Sequence, residues 1–148
     1  MTHVNETLHH DHENVAALID KLKGTTGGSE KTRNALCRQI RQALAAHTEF
    51  EEKVFYPAVR DATKAAQTEV KAAIEEHQQV DRLLDDIDDM DPTADGFIEA
   101  VSELEQAVEK HVRREEEKIF PMAQKAIEAG RADEMSQRHD QMLDQQMR

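Results

Sequence analysis

Two short stretches of this sequence repeat the same combination of metal-binding side chains. His47 is followed four residues later by Glu51, and His111 is followed four residues later by Glu115. Residues four apart lie on the same face of an α-helix, so each histidine would point in the same direction as its glutamate. Imidazole nitrogen suits iron, copper and zinc, whereas a carboxylate can link two ions that prefer oxygen. The spacing therefore indicates paired nitrogen and oxygen ligands on two helices.

The similarity between the two halves of the chain extends beyond these stretches. Residues 11–20 and residues 76–85 share the pattern acid-His-x-x-Val-x-x-Leu-aliphatic-Asp, which adds His12 and His77 to the repeat. The stretches that begin at the other two histidines both read H-x-x-x-E-E-x-x-x-x-P. Two helical hairpins of similar sequence are expected to pack about an approximate two-fold axis. Each hairpin would then direct one set of polar side chains into the space between them.

Four histidines and two glutamates are the candidate metal ligands. They are His12, His47, Glu51, His77, His111 and Glu115. Each histidine follows an apolar position by three or four residues, which predicts that it faces the interior of a helical bundle. Burial of such groups without partners would cost several kcal/mol each, and a shared metal centre would offset that cost. Two histidines and a shared carboxylate for each metal would leave coordination positions open for solvent or a small ligand.

The duplication separates this pattern from simpler interpretations. A single inward histidine is usually a hydrogen-bonded core residue, and a single H-x-x-x-E is often only a surface pair. A ferritin-type centre would need two E-x-x-H motifs, whereas this sequence has one, from Glu6 to His9. Two matched copies of the motif favour a metal centre, although the ligand types alone leave iron, zinc and manganese open.

The remaining polar candidates are expected to lie outside the centre. Three histidines are predicted to be exposed to solvent, namely His3, His10 and His139. His9 precedes His12 by three residues, so it could either reach a metal or contact the groups around one. Glu52 and Glu116 lie about 100° around the helix from the neighbouring glutamates, so we expect them to contact the ligands or the solvent.

The spacing of apolar residues predicts four long helices. Gly24 is expected to end the first helix, and Pro57 to interrupt or kink the second. Residues 91–93, Asp-Pro-Thr, form a clear break after the third helix. The fourth helix runs towards Pro121, and Gly130 is expected to end it.

These elements predict an all-α fold. Four long helices with short loops form an antiparallel up-down-up-down four-helix bundle, here spanning about residues 5–128. A short amphipathic C-terminal helix follows at about residues 131–148, with Met135, Met142 and Leu143 on one side. The 148 residues are expected to form a single domain.

Composition limits the partners that we expect. The formal net charge of −12, from 31 acidic and 19 basic residues, disfavours nucleic acid and anionic membranes as partners. We see neither a secretory signal nor an apolar stretch of about eighteen residues. The single cysteine, Cys37, reads as a small buried hydrophobic residue and fits a reducing compartment, most simply the cytoplasm. We expect a monomer or a small homo-oligomer.

The order of the candidate ligands resembles that of the hemerythrin-like, or HHE cation-binding, family, in its type with four histidines and two glutamates. The resemblance covers about residues 5–128, and residues 51–57 and 115–121 look like the E-E-x-x-x-x-P segments of that family. It implies a four-helix bundle around a non-haem centre of two iron ions. Glu51 and Glu115 would bridge the irons together with an oxo or hydroxo group, and the four histidines would be terminal ligands.

Two departures from the oxygen-carrying members of that family bear on function. Those members have a further histidine where this chain has Ala73, and an aspartate five residues after the last histidine, where this chain has Glu116. The open position that results favours binding, and possible conversion, of O2, NO or peroxide under oxidative or nitrosative stress. The alternatives are an iron donor or store for iron–sulfur cluster repair or iron homeostasis, and a structural or partner-binding bundle. These residues do not decide whether the chain is an enzyme.

Overall fold

The computed structural model describes residues 2–146, and these residues are mainly helical. The α-helices are α1 (Val4–Lys23), α2 (Glu30–Phe50), α3 (Tyr56–Arg60), α4 (Lys64–Asp88), α5 (Phe97–Arg114), α6 (Phe120–Ala126) and α7 (Ala129–Gln146). Two π-helical turns, Glu51–Phe55 and Glu115–Ile119, join α2 to α3 and α5 to α6 without a break. No strand occurs within the described residues, so the predicted all-α class is confirmed.

The helices form the predicted antiparallel four-helix bundle. Within each half, α1 packs against α2 and α4 packs against α5. The halves meet where α1 packs against α5 and where α3 packs against α4 and α6. α7 packs on the outside of the bundle against α1 and α2. Across the described part of the chain, no helix is both long enough and apolar enough to cross a membrane.

The C-terminal helix begins slightly earlier than the sequence predicts. α7 spans 18 residues, Ala129–Gln146, and the last two residues of the predicted tail lie outside the described part of the chain. Gly130 lies in the first turn of α7, so the prediction that Gly130 ends the fourth helix is wrong. That helix ends at Ala126, because Ile127 adopts an extended backbone with its side chain buried in the core.

Two apolar clusters fill the bundle and lie on either side of a polar layer. One cluster contains Leu8, Phe50, Ala73 and Ile119, together with residues of α3, α6 and α7. The other contains Val15, Leu44, Val80 and Val108, with Cys37 partly buried against it. Each candidate histidine therefore lies along its helix between residues of the two clusters. The apolar packing fixes the backbone on both sides of the polar layer.

The prolines are accommodated by the two π turns. Pro57 and Pro121 lack an N–H group, and in a regular α-helix each would clash with the preceding turn. In both cases the wider turn lies just upstream. The amide of Tyr56 donates to the carbonyl of Glu51, and the amide of Phe120 donates to that of Glu115. The interruption predicted at Pro57 is thus a π turn that begins at a candidate ligand, a placement often seen at functional sites.

A buried arginine ties together the two loops at one end of the bundle. The side chain of Arg33 is 3% exposed, and its guanidinium donates to the backbone carbonyls of Thr25 and Pro92. The guanidinium also lies 4.7 Å from the centre of the Phe97 ring. Because the Arg33 guanidinium bonds to both the loop before α2 and the loop before α5, we expect it to stabilise the end of the bundle where these two loops lie.

We expect Arg33→Met to lower the free energy of unfolding by about 2–3 kcal/mol, because the two carbonyls lose a charged donor. Urea denaturation followed by circular dichroism measures this. The control is Arg38→Met, an exposed arginine on the same helix, with an expected change below about 0.5 kcal/mol. Equal urea midpoints for the two variants would show that Arg33 does not hold the loops together.

Candidate metal centre

The polar layer brings all six predicted ligands together. Each of α1, α2, α4 and α5 contributes one histidine, and each π turn contributes its first residue, a glutamate. The exposed fractions are 7% for His12, 4% for His47, 5% for His77, 6% for His111 and 0% for Glu51 and Glu115. Six ionisable side chains are thus withdrawn from water at one level of the bundle, where they need polar partners or a bound cation to be stable.

Each glutamate makes its shortest histidine contacts with one histidine from each half of the chain. The distances from histidine Nε2 to glutamate Oε1 are 3.0 Å for His12–Glu115, 3.0 Å for His47–Glu51, 3.0 Å for His77–Glu51 and 3.1 Å for His111–Glu115. The helical spacing of H-x-x-x-E explains the contacts within a half. The contacts between halves arise because the two hairpins pack face to face. Both carboxylates therefore lie between the two pairs of histidines.

The opposite nitrogen of every histidine contacts a further carboxylate. The distances from Nδ1 to oxygen are 3.1 Å for His12–Glu116, 2.8 Å for His47–Asp11, 2.7 Å for His77–Glu52 and 3.3 Å for His111–Glu76. Each carboxylate can accept a hydrogen bond from Nδ1–H, which leaves Nε2, once deprotonated, as the nitrogen directed into the cluster. Histidines that bind metals usually have this arrangement.

Two of these four carboxylates are not assigned by the sequence prediction. Asp11 and Glu76 are the acids that precede the first histidine in each copy of the repeat, which is the signal that could have identified them. The other two, Glu52 and Glu116, contact the candidate ligands and are also partly exposed, with side-chain exposures of 39% and 31%. Glu52 and Glu116 therefore contact both the candidate ligands and the solvent, which are the two alternatives predicted for them.

The electrostatics of the cluster are those of a centre that attracts cations. Burial lowers the pKa of His47, but the charge of Glu51 and the hydrogen bond to Asp11 outweigh it and raise the pKa well above the usual 6.5. Burial raises the pKa of Glu115, yet the charge of His111 and hydrogen bonds from the cluster hold it well below the usual 4.5. Protons on histidine thus face ionised carboxylates, and a metal ion can replace those protons.

Several buried atoms lack a hydrogen-bond partner that a cation would supply. Nε2 of His77 lies 3.2 Å from Nε2 of His111, so only one of the two nitrogens can carry a proton between them. Oε2 of Glu51 is buried without a partner, and Nε2 of His47 is buried without a hydrogen bond of acceptable geometry. These residues fit a metal centre, because bound cations would satisfy all of these atoms at once.

The ligand atoms fall into two overlapping groups, each compact enough to hold a metal ion. One group contains His12, His47, Glu51 and Glu115, and the other contains Glu51, His77 and His111. Within each group the ligand atoms lie within 4.8 Å of one another.

Tyr56 reaches the cluster, although the sequence does not single it out. Its hydroxyl donates to Oε2 of Glu115 at 2.7 Å and lies 3.2 Å from Oε1 of Glu51 and 3.3 Å from Nε2 of His77. Burial, followed by the charges of Glu115 and Glu51, raises the pKa of Tyr56 well above 10.0, so the hydroxyl keeps its proton. The equivalent residue in the second repeat is Phe120, so the second repeat has no hydroxyl at this position.

The other histidines lie outside the ligand cluster. Nδ1 of His9 contacts Oε1 of Glu116 at 2.6 Å, so His9 touches a partner of a candidate ligand rather than the cluster itself. His10 is exposed, as predicted, whereas His3 is partly buried and caps the start of α1. The prediction of an exposed His139 is wrong, because α7 packs on the bundle and buries this side chain to 5% exposure.

Comparisons with known proteins agree with this geometry. Residues 3–123, and again residues 88–148, match the family model described as the Hemerythrin HHE cation binding domain. The fold superposes with a TM-score of 0.86 on the crystal structure of a Hemerythrin HHE cation binding domain-containing protein from Mycobacterium kansasii. That match covers 99% of this chain and 88% of the other at 23% identity, and so concerns the fold alone.

A curated relative is a DNA nickase from Nostoc sp., which is 32% identical to this chain over 117 residues. The aligned part is 79% of this chain but 32% of the nickase, so the chain spans about a third of the length of that relative. The match of the family model to most of the chain, together with the clustered histidines and glutamates, shows that this chain belongs to the hemerythrin HHE cation-binding domain family.

Proposed function

We propose that this chain holds two iron ions between its four helices and uses them to bind, and to convert, a small ligand such as O2, NO or peroxide. The observation that carries this proposal is the position of the two carboxylates, each in contact with one histidine from each half. Glu51 and Glu115 can therefore be shared by two ions. One ion would be held by His12 and His47, and the other by His77 and His111.

The donor set supports iron. All six ligands are imidazole nitrogens or carboxylate oxygens, a mixture that suits iron, whereas thiolate would favour softer metals. Iron bound here would supply redox and Lewis-acid chemistry to a small ligand. The protein would orient the ligands through the four outer carboxylates and keep a proton on the Tyr56 hydroxyl beside the cluster.

A small cavity beside the cluster limits the size of the ligand. The cavity has a volume of about 20 Å³ and is lined by all four candidate histidines and by Val15, Leu44, Val80, Val108 and Val112, among other residues. That volume holds roughly one water-sized molecule. This small size would favour a diatomic molecule or peroxide over a larger organic substrate.

We expect Val80→Ile to weaken NO binding about ten-fold, because one added methylene occupies much of the cavity. The measurement is an anaerobic titration of the iron-loaded protein with NO, followed by absorbance. The control is Val101→Ile, which makes the same change at a fully buried position in the same apolar cluster but does not line the cavity. Equal affinities for the two variants would show that ligands do not occupy this cavity.

The proposed function is tested by reconstitution with ferrous iron in the absence of oxygen. Separate samples are then exposed to O2, NO and hydrogen peroxide. We expect about two irons per chain, in line with other carboxylate-bridged helical bundles, and a change in the absorption spectrum with at least one ligand. If none of the three ligands causes a spectral change or is turned over, the ligand-binding function is excluded.

A second candidate function is the storage or donation of iron. It is favoured by the exposure of the outer carboxylates, since Glu52 and Glu116 contact candidate ligands and also reach the solvent. An ion could leave through these groups. Rapid loss of iron to a weak chelator, and its delivery to an apo iron–sulfur protein, would support this function. A purely structural bundle predicts instead that His47→Ala and His111→Ala leave the metal content unchanged.

We propose that the chain itself does not bind nucleic acid or membranes. Nicking of DNA is the named activity of a relative of which this chain matches about a third. The net charge of −12 opposes contact with a phosphate backbone. A gel-shift titration at low salt tests this point. We also propose that the chain works in the cytoplasm as a monomer or small homo-oligomer.

A further inference from the structure

Asp11 and Glu76 are equivalent acids in the two halves, and each contacts Nδ1 of a candidate ligand, but different side chains stabilise them. In the second half, Oε1 of Glu76 contacts Nδ1 of His111 at 3.3 Å and accepts a hydrogen bond from Nε of Arg114 at 3.1 Å. Arg114 follows His111 by three residues, and the residue three after His47 in the first half is Phe50. The first hairpin therefore carries no arginine at the position from which Arg114 reaches its acid.

A histidine from α7 contacts the corresponding acid of the first half. Nε2 of His139 lies 2.6 Å from Oδ2 of Asp11, and the same oxygen accepts from Nδ1 of His47 at 2.8 Å. The His139 ring packs edge-on against Phe50, with the ring centres 5.0 Å apart. Phe50 thus occupies the position equivalent to Arg114. Its ring contacts His139, which takes the place of the arginine as a partner of the acid.

We propose that His139 is a positioning residue of the metal centre, acting through Asp11 on His47, and that α7 is therefore a functional part of the centre. This inference rests on the proposed metal centre, because His47 must be a ligand for its orientation to matter. The four helices that carry the ligands would complete the support of the second half by themselves, through Arg114. The first half would need α7, which carries His139, to hold Asp11 in place.

The physical role of His139 follows from its sharing of an acceptor with His47, because both histidines donate to Oδ2 of Asp11. With both in place, the Asp11 carboxylate is held in one orientation, and it holds the His47 ring with Nε2 directed at Glu51. Asp11, His47 and His139 also line a groove of about 430 Å³ between α1, α2 and α7. Without His139, the carboxylate could turn towards this groove, and the His47 ring would lose its fixed orientation.

The position of α7 itself is fixed by polar contacts with α1 and with the segment that precedes it. The hydroxyl of Ser136 contacts that of Thr7, and the backbone amide of Thr2 donates to Asp133 at 3.1 Å. Ser136 and His139 are both buried, at 5% exposure each, and lie on the face of α7 that meets the bundle. The contact of His139 with Asp11 is therefore made by a docked helix.

The test measures how fast the iron-loaded, full-length protein releases iron to an excess of a strong chelator. We expect His139→Phe to release iron about ten-fold or more faster than the unaltered protein, because loss of an outer hydrogen-bond partner weakens metal binding by roughly that factor. His139→Gln, whose amide can still donate to Asp11, should recover most of the retention. The control is His10→Phe, which removes an exposed histidine from α1.

A second pair of variants tests the same inference by a different route. Asp11→Asn should also speed release, and its combination with His139→Phe should release iron no faster than the faster-releasing of the two single variants, because both act through one contact. Thermal unfolding of the metal-free variants shows whether each one folds.

The outcomes separate this inference from the proposed function. If the unaltered protein retains no metal, the metal centre is excluded and the role of His139 with it. If the unaltered protein retains iron and a folded His139→Phe releases it at the same rate, the role of His139 alone is excluded. Equal release from His139→Gln and His139→Phe would also overturn it, because packing rather than the hydrogen bond would then explain the effect.

Discussion

Glu51→Ala and Glu115→Ala, made separately, will each reduce the iron retained after reconstitution from about two ions per chain to less than one. Each carboxylate lies between two histidines of different halves, so its loss removes an oxygen ligand from both proposed ions at once. The remaining carboxylate would have to balance the charge of both cations in a fully buried centre. Metal analysis of the desalted protein by mass spectrometry gives the content directly.

The control for these variants is Glu117→Ala. Glu117 lies in the same π turn as Glu115 but is exposed, so its removal should leave the iron content unchanged. Thermal unfolding with and without iron adds a second measurement, because a tightly bound metal raises the unfolding temperature. Retention of about two irons by either alanine variant would contradict the shared-carboxylate arrangement that supports the proposal.

The second large effect concerns the metal-free protein, which will be most stable between about pH 4.5 and pH 6.5. The pKa of His47 and that of His111 are raised above 6.5, after the opposing effect of burial, by Glu51 and Glu115 respectively. The stability that these protonated histidines contribute is fully present below pH 6.5 and is lost as the pH rises through their raised values.

The acidic side of the profile has the opposite sign. Glu115 has a pKa well below 4.5, and the pKa of Glu51 is also lowered, because the nearby histidine charges outweigh burial. Their contribution is present above pH 4.5 and is lost as the pH falls through the lowered values. Asp11 behaves in the same way, since its hydrogen bonds from His139 and His47 outweigh burial and lower its pKa to about 2.

Iron loading should remove the loss of stability at alkaline pH. Metal ligation requires deprotonated Nε2 atoms, so binding displaces the protons from the histidines. The unfolding temperature of the metal-free protein should fall by at least about 5 °C between pH 6.5 and pH 9, whereas that of the loaded protein should change less. Differential scanning calorimetry of both forms across this range makes the comparison. Parallel curves for the two forms would mean that the metal does not replace protons at the cluster.

The six central residues could be predicted because their positions follow from local periodicity. A histidine and a glutamate four residues apart share a helix face in any α-helix, and the internal repeat places the two faces opposite each other. The convergence of these side chains is observed, while their role as ligands is the subject of the proposed experiments. The prolines could also be interpreted, although a π turn rather than a kink accommodates them.

The predictions failed where a contact depends on the packing of distant segments. His139 lies on the same face of α7 as Met135 and Met142, so its helical spacing could have placed it towards the bundle, but only the tertiary structure shows that its partner is Asp11. Tyr56 lies between a buried phenylalanine and a proline, so its sequence context reads as core, and only the π turn brings its hydroxyl to Glu115. The repeat points to Asp11 and Glu76 as a matched pair, but not to the histidines that they contact.

The amino-acid sequence by itself determined the helices, the two-fold repeat and the identity of the six residues in the polar layer, because helical periodicity acts over a few residues. The tertiary structure alone decided which oxygen meets which nitrogen, which hydroxyl reaches the cluster and which helix supports His47. These contacts join residues that are far apart in the chain, and their geometry depends on how whole helices pack against one another. The docking of α7 through His139 is the clearest case, since no local pattern in α1 or α2 specifies a partner there.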